Sequence, residues 1–379
     1  MGDTIALARG GEAQAAGSGR SDEFRARVFV GLLVLATVSF YVVAPLVAVQ
    51  WWPFRSLTQT YAVLLYLSIA HVALTAFIYF DRASYRVIST HKLRFLIAGP
   101  AFFVSTFWFF YFMPRETVTA FLLFFFVWTY WHYQRQHYGV YSLIKSAARE
   151  RASSAEKAVI LAGAVPGMLA ILPQALAERN PDLAVLHAYV GLIMDAAAAA
   201  LLVCAVAGAV ISAAILRAPG EAPLKSRLFH AVLLLFLATN NWPLLFVKPT
   251  WLAVAMVAGG HGAQYYVFMA VYGMKREPQG VLDRLTPTLR ALPVWPVIRG
   301  CFAVAFLFLF AMAMWVTLTT WLPAQPFAKP ADSALGAAIG SLWIAITGTH
   351  YILDAGLWRL SEPNSRALVR HKYGFLFPR

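Results

Sequence analysis

Charge is scarce in this chain. Lys, Arg, Asp and Glu together make up 13% of its 379 residues, about half of what a soluble domain carries. Cysteine is scarcer still. Cys204 and Cys301 both fall in apolar stretches, which suits buried fillers better than a disulfide or a metal pair. No Gly-rich phosphate loop leads into a helix, no GxSxG turn occurs, and the HxxxH and HxxHH boxes of membrane desaturases and hydroxylases are missing. These absences exclude a nucleotide-binding domain, a nucleophile-elbow hydrolase and a desaturase of the boxed kind.

What is present is apolar and aromatic, at 60% and 15% of the residues. Runs of about twenty apolar residues recur from 27 to 359, each long enough to cross a bilayer as a helix. The pattern predicts an all-α, polytopic membrane bundle. Ten spans are expected, at about 27–49, 58–80, 93–113, 117–144, 156–177, 185–216, 228–247, 250–273, 294–323 and 334–359. Residues 1–26, rich in Gly, Ala and Ser, read as a disordered tail rather than a cleavable signal. Residues 360–379 form the opposite tail, and 275–293 the longest loop, with a short surface helix as one reading of it.

Basic residues outnumber acidic ones, 31 to 17. The first, third, fifth, seventh and ninth loops hold one each, namely Arg55, Arg115, Arg179, Lys248 and Lys329, and the other 26 gather in the tails, the even loops and the helix ends beside them. That alternation places both termini in the cytoplasm and the chain in the cell's inner membrane. The positive excess is a topology signal, so no nucleic-acid partner is expected.

Five of the nine histidines interrupt the spans: His71, His132, His137, His261 and His350. Each lies roughly 10–20 Å in from the cytoplasmic end of its span at 1.5 Å per residue, so four helices place imidazoles in one slab. The stretch WHYQRQHYG (131–139) carries two of them, with Arg135 and Gln136 on the face of His132 and His137 about 140° away. In THYILDAGLWR, Asp354 sits one turn from His350, where a carboxylate can fix an imidazole tautomer. In GGHGAQYY, Gln264 and Tyr265 share the face of His261, and Gly259, Gly260 and Gly262 leave room for a neighbouring helix or a flat cofactor. TNNWP (239–243) predicts a broken seventh span, and Asp195 is an acid nearer the outer half.

Ionisable groups cost a few kcal/mol each at this depth, so a shared layer of them predicts a functional site. The expected function is a metalloenzyme. His71, His132, His261 and His350 are the candidate ligands, with His137 as a fifth that would make the centre dinuclear. Asp354, Arg135 and Tyr265 are the candidate catalytic groups, Arg135 holding an anionic head group. Gly260, Gly262, Gln264 and Asn241 are the candidate cofactor pocket. Imidazole ligands suit iron first, with copper or zinc as alternatives. The chemistry expected is oxygen-dependent hydroxylation, desaturation or cleavage of a membrane lipid or other hydrophobic small molecule, fed by a separate electron donor. Histidines scattered over several helices look more like bacterial carotenoid-cleaving membrane dioxygenases than like the boxed enzymes, although no motif of theirs matches residue by residue. Two alternatives stand beside this reading: a haem b or quinone-linked redox protein, and a proton-coupled transporter.

Overall fold

A computed structural model describes residues 3–48, 71–72, 74–113, 115–177, 184–218, 222–248, 250–274 and 334–377. The described residues are helical, with no strand among them. Most of the expected second span, the loop 275–293, the ninth span and Cys301 lie outside them.

Helix α1 (Asp3–Ala48) runs through the Gly/Ala-rich segment and the first apolar run. A 3-10 stretch, Thr75–Phe80, follows His71, and α2 (Tyr85–Thr90) meets a π-helical turn (Leu93–Ala98) that opens α3 (Gly99–Phe112). Helix α4 (Arg115–Ala147) carries WHYQRQHYG at its centre. The fifth expected span divides at Gly163 into α5 (Ser154–Ala162) and α6 (Ala164–Ala177). Helix α7 spans Ala184–Arg217. TNNWP ends α8 (Leu224–Thr239), and Pro243 starts the short α9 (Pro243–Phe246), since its ring cannot sit in a helix interior but fits a first turn. Helices α10 (Thr250–Met274), α11 (Ala334–Leu357) and α12 (Pro363–Lys372) complete the described chain.

Among the described residues, three helical stretches, Ser21–Val42, Ser154–Pro173 and Ala188–Arg217, are long and apolar enough to cross a bilayer, and the bent pair Arg82–Thr90 and Leu93–Thr106 makes a fourth if it counts as one span. That is consistent with a membrane protein. Much of α7 is exposed, including Leu192, Leu202, Val203, Val206 and Val210, as a lipid-facing surface would be.

Small residues set how closely the helices approach. Gly348 of α11 lies directly on the ring of Phe102, and Gly259 of α10 on the ring of Phe40 in α1. These contacts join the α3–α11 and α1–α10 pairs, two of the closest packings in the fold. A capping box between Ser153 and Glu156 starts α5. Glu156 also takes the Tyr141 hydroxyl at 2.7 Å and Lys145 Nζ at 3.2 Å, tying α4 to α5.

The C-terminal segment is built into the core. Tyr373 and Leu376 are buried with Phe29, Ile160, Leu234 and Phe268. Lys372 and Asp81 are both fully buried and meet at 2.7 Å, and Ser84 bonds Tyr272 beside them. Glu362 caps α12 by accepting from the Ser365 amide at 2.6 Å.

Candidate metal centre

Four of the five histidines that interrupt the apolar runs converge. The rings of His71 and His261 have centroids 4.8 Å apart, His261 and His132 5.1 Å, His132 and His350 5.1 Å, and His350 and His71 4.9 Å. The chain thus closes a ring of four imidazoles contributed by four separate segments. Neighbouring planes cross at 70–82°. With metal–nitrogen bonds of about 2.0–2.1 Å, ring centroids in a tetrahedral four-imidazole site stand about 5.2 Å apart. The four adjacent pairs come within a few tenths of an ångström of that figure. One ligand atom each from His71, His261 and His350 lies within 4.8 Å of the others, and the same is true of His132, His350 and Asp354.

The four rings are at most 8% exposed. His132 Nε2, His350 Nε2 and both ring nitrogens of His261 are buried without a hydrogen-bond partner. An unsatisfied buried polar atom costs about 1–3 kcal/mol, and these four atoms belong to one cluster. A cation at its centre would engage His132 Nε2, His350 Nε2 and one of the two His261 nitrogens.

Other side chains fix the rings from outside. Thr75 Oγ1 lies 2.6 Å from His350 Nδ1 and 2.9 Å from the Tyr265 hydroxyl. The Tyr265 hydroxyl donates to Asp354 Oδ1 at 2.8 Å, and Thr75 reaches the same oxygen at 3.5 Å. With its Nδ1 proton on Thr75, His350 presents a bare Nε2, and the chain of hydroxyls ends on a carboxylate. Asp354 Oδ2 is 3.7 Å from that Nε2. Tyr351 stacks on His132 at 4.1 Å, and Tyr133 lies tilted over His261 at 4.2 Å. Gln136 donates to the His261 carbonyl at 2.9 Å and to Gln264 Oε1 at 3.1 Å.

His137 stands apart from this set. Asn240 Nδ2 donates to its Nδ1 at 2.8 Å, and Gln134 Oε1 is 3.4 Å from the same atom. It joins neither candidate ligand group, so a second metal at His137 has no support among the described residues. The expected cofactor pocket is also largely filled by protein. Thr37 of α1 sits 3.0 Å from where a Gly260 side chain would begin, and Gln264 Nε2 donates to the Thr37 hydroxyl at 2.7 Å. Asn241 donates to the Gly163 carbonyl at 2.7 Å and packs on Gly167, at the α5–α6 junction. Gly262 is buried within α10. The glycines admit α1, the helical one of the two occupants the sequence allowed.

Thr75 carries no motif of its own in the sequence. Its signal was its spacing, one helical turn after His71, which places it on the same face. Tyr351 and Tyr133 are beside His350 and His132 in sequence, and no motif sets them apart from the chain's other aromatics.

Arg135 lines a cavity of about 770 Å³ that includes His132, Tyr265 and Asp354 in its wall. Asp195 is exposed on α7. Comparisons with protein-family models, with curated proteins and with solved structures return no match.

Proposed function

We propose that the protein is a membrane metalloenzyme whose single metal ion is held by His71, His132, His261 and His350. The observation that carries this reading is the closed ring of four imidazoles at 4.8–5.1 Å. The buried bare nitrogens of His132, His261 and His350 support it. In this reading the chain crosses the inner membrane ten times with both termini cytoplasmic, and the centre lies in the cytoplasmic half.

Imidazole donors suit iron, copper or zinc. Four of them complete a zinc coordination shell, whereas an iron of higher coordination keeps positions free for substrate chemistry. An adjoining cavity favours a centre that reacts over one that only braces the fold, and iron is the metal of choice here. When bound, the ion would supply redox and Lewis-acid chemistry for an oxygen-dependent hydroxylation, desaturation or cleavage of a lipid-soluble substrate, with electrons from a separate protein or quinone. The chain's own residues then have distinct tasks. Thr75 fixes the His350 tautomer. Tyr265 and Asp354 hold a proton at the cavity wall, where substrate can exchange it. Tyr351 and Tyr133 keep the rings of His132 and His261 in place.

The spacing favours a bare ion over haem. A macrocycle needs open space between two opposed imidazoles, and here each ring has two others within 5.1 Å. A proton relay gains no support from Asp195, which is exposed on α7. Nor does TNNWP form a free gate, because Asn240 and Asn241 are both engaged in packing bonds.

The test is metal content by mass spectrometry on protein purified in mild detergent, beside its absorption spectrum. The expected result is about one iron per chain, lost in both His132→Ala and His350→Ala. A Soret band would replace the reading with haem. Protein that neither contains nor rebinds metal would end it.

A further inference from the structure

The cavity beside the centre has an unusual charge. Its wall includes Arg94, Arg135, Arg359 and Lys157, and Asp354 is the only acidic residue among the described residues that line it. Arg94 lies within electrostatic reach of both Arg359 and Arg135. None of these three arginines forms an ion pair among the described residues. Asp354 cannot serve all three, since it is already committed to Tyr265 and Thr75. The stem of Arg94 crosses α11 at Gly356, where a Cβ would lie 2.8 Å from its Cδ. The absence of a side chain there lets the guanidinium reach the cavity. The three arginines come from three places in the chain: the π-helical turn before α3, the middle of α4 and the residue two past α11.

Three guanidiniums gathered without counter-charge repel one another, and a bound anion relieves that repulsion. Guanidinium forks match the planar, multi-oxygen geometry of carboxylate and phosphate. Much of the rest of the wall is aromatic and aliphatic, including Trp128, Trp131, Phe268 and Trp358, with Gln136, Ser142 and Ser361 among its polar residues. A volume of about 770 Å³ lies within the range of about 300–1,000 Å³ usual for small-molecule sites. From this arrangement we infer that the cavity receives a single-chain amphiphile, its carboxylate or phosphate head held by Arg94, Arg135 and Arg359 and its apolar body against the tryptophans. This names the substrate class of the metal centre and rests on that reading. Arg135 is one helical turn from His132, so the clamp fixes how far along the chain the reactive carbon lies from the head.

Tryptophans in the wall provide a reporter for the test. Purified full-length protein is titrated with brominated stearic acid, which quenches nearby tryptophans, and unbrominated stearic acid is then added as competitor. The methyl ester of the same acid, an alkyl phosphate of equal length and inorganic phosphate serve as parallel competitors, and metal content is measured on every sample. The inference expects saturable quenching that stearic acid reverses and its ester does not, weakened at least tenfold in the Arg94→Gln/Arg359→Gln double variant. Arg359→Lys, which keeps the charge but loses the fork, should fall between. Relative potency of stearic acid and alkyl phosphate tells which head group is preferred, and either one winning supports the clamp. Equal competition by the ester, or unchanged binding in a double variant with normal metal content, overturns it. Displacement by inorganic phosphate alone at matching concentration also overturns it, by showing an ion site that does not read a chain. Metal-free protein that still shows head-dependent binding would instead refute the metal centre and leave the clamp standing.

Discussion

Replacing Thr75 with valine removes one hydroxyl without changing the shape of the side chain, and it tests how the centre is held. Thr75 Oγ1 is 2.6 Å from His350 Nδ1. A metal on Nε2 forces the imidazole proton onto Nδ1, so in the variant that proton would be buried with no acceptor. The cost of such a group is about 1–3 kcal/mol, about 5- to 150-fold in affinity. Loss of an outer partner of a ligating histidine typically weakens metal binding 10- to 100-fold, and the two figures agree. Apo protein escapes most of this penalty, because without the metal the proton can move to Nε2. The variant should therefore fold, with an apo melting temperature within a few degrees of the parent. Its metal affinity, measured by competition with a chromogenic chelator, should fall 10- to 100-fold, and Thr75→Ser should restore most of the loss. Unchanged affinity in the valine variant would refute the argument that Thr75 sets the tautomer of His350.

Three further outcomes follow from particular contacts. His137→Ala should keep the full metal stoichiometry while lowering thermal stability, since Asn240 loses its partner; metal loss equal to that of His132→Ala would return His137 to the ligand set. Lys372→Met leaves Asp81 in a fully buried site without its 2.7 Å partner, which should cost about 3–5 kcal/mol; pairing it with Asp81→Asn should recover part of that, and thermal unfolding of the three proteins measures both terms. Gly259→Ala drives a methyl into the ring of Phe40 and should cost about 1–3 kcal/mol by overpacking; a companion Phe40→Leu should relieve it, read as the melting temperature of the single and double variants.

The level shared by the four histidines is legible in the sequence, and azimuth only in part. Counting residues from the expected cytoplasmic ends places His71, His132, His261 and His350 in one layer, and the structure brings their rings together. The same count puts His137 in the layer, yet a helix rotates it about 140° from His132, and it faces Asn240 instead. The glycines around His261 announced a close approach without naming the visitor. Helix α1 contributes Thr37 and Phe40, an apolar face with no motif to mark it. Asp81 and Lys372 read as ordinary loop and tail charges, because their pairing spans most of the chain and no local pattern records it. The arginine cluster was half visible. Arg135 stood out by its depth, whereas Arg94 and Arg359 looked like the basic residues that end any cytoplasmic helix.

X-ray absorption at the edge of the bound metal, on protein as purified, tests the central claim most directly. The account predicts nitrogen neighbours at about 2.0–2.1 Å, with the outer-shell scattering of four imidazoles, reduced to three in His261→Ala if that variant retains metal. A first shell dominated by sulfur or by carboxylate oxygen, or scattering from fewer than three imidazoles in the parent protein, would contradict it.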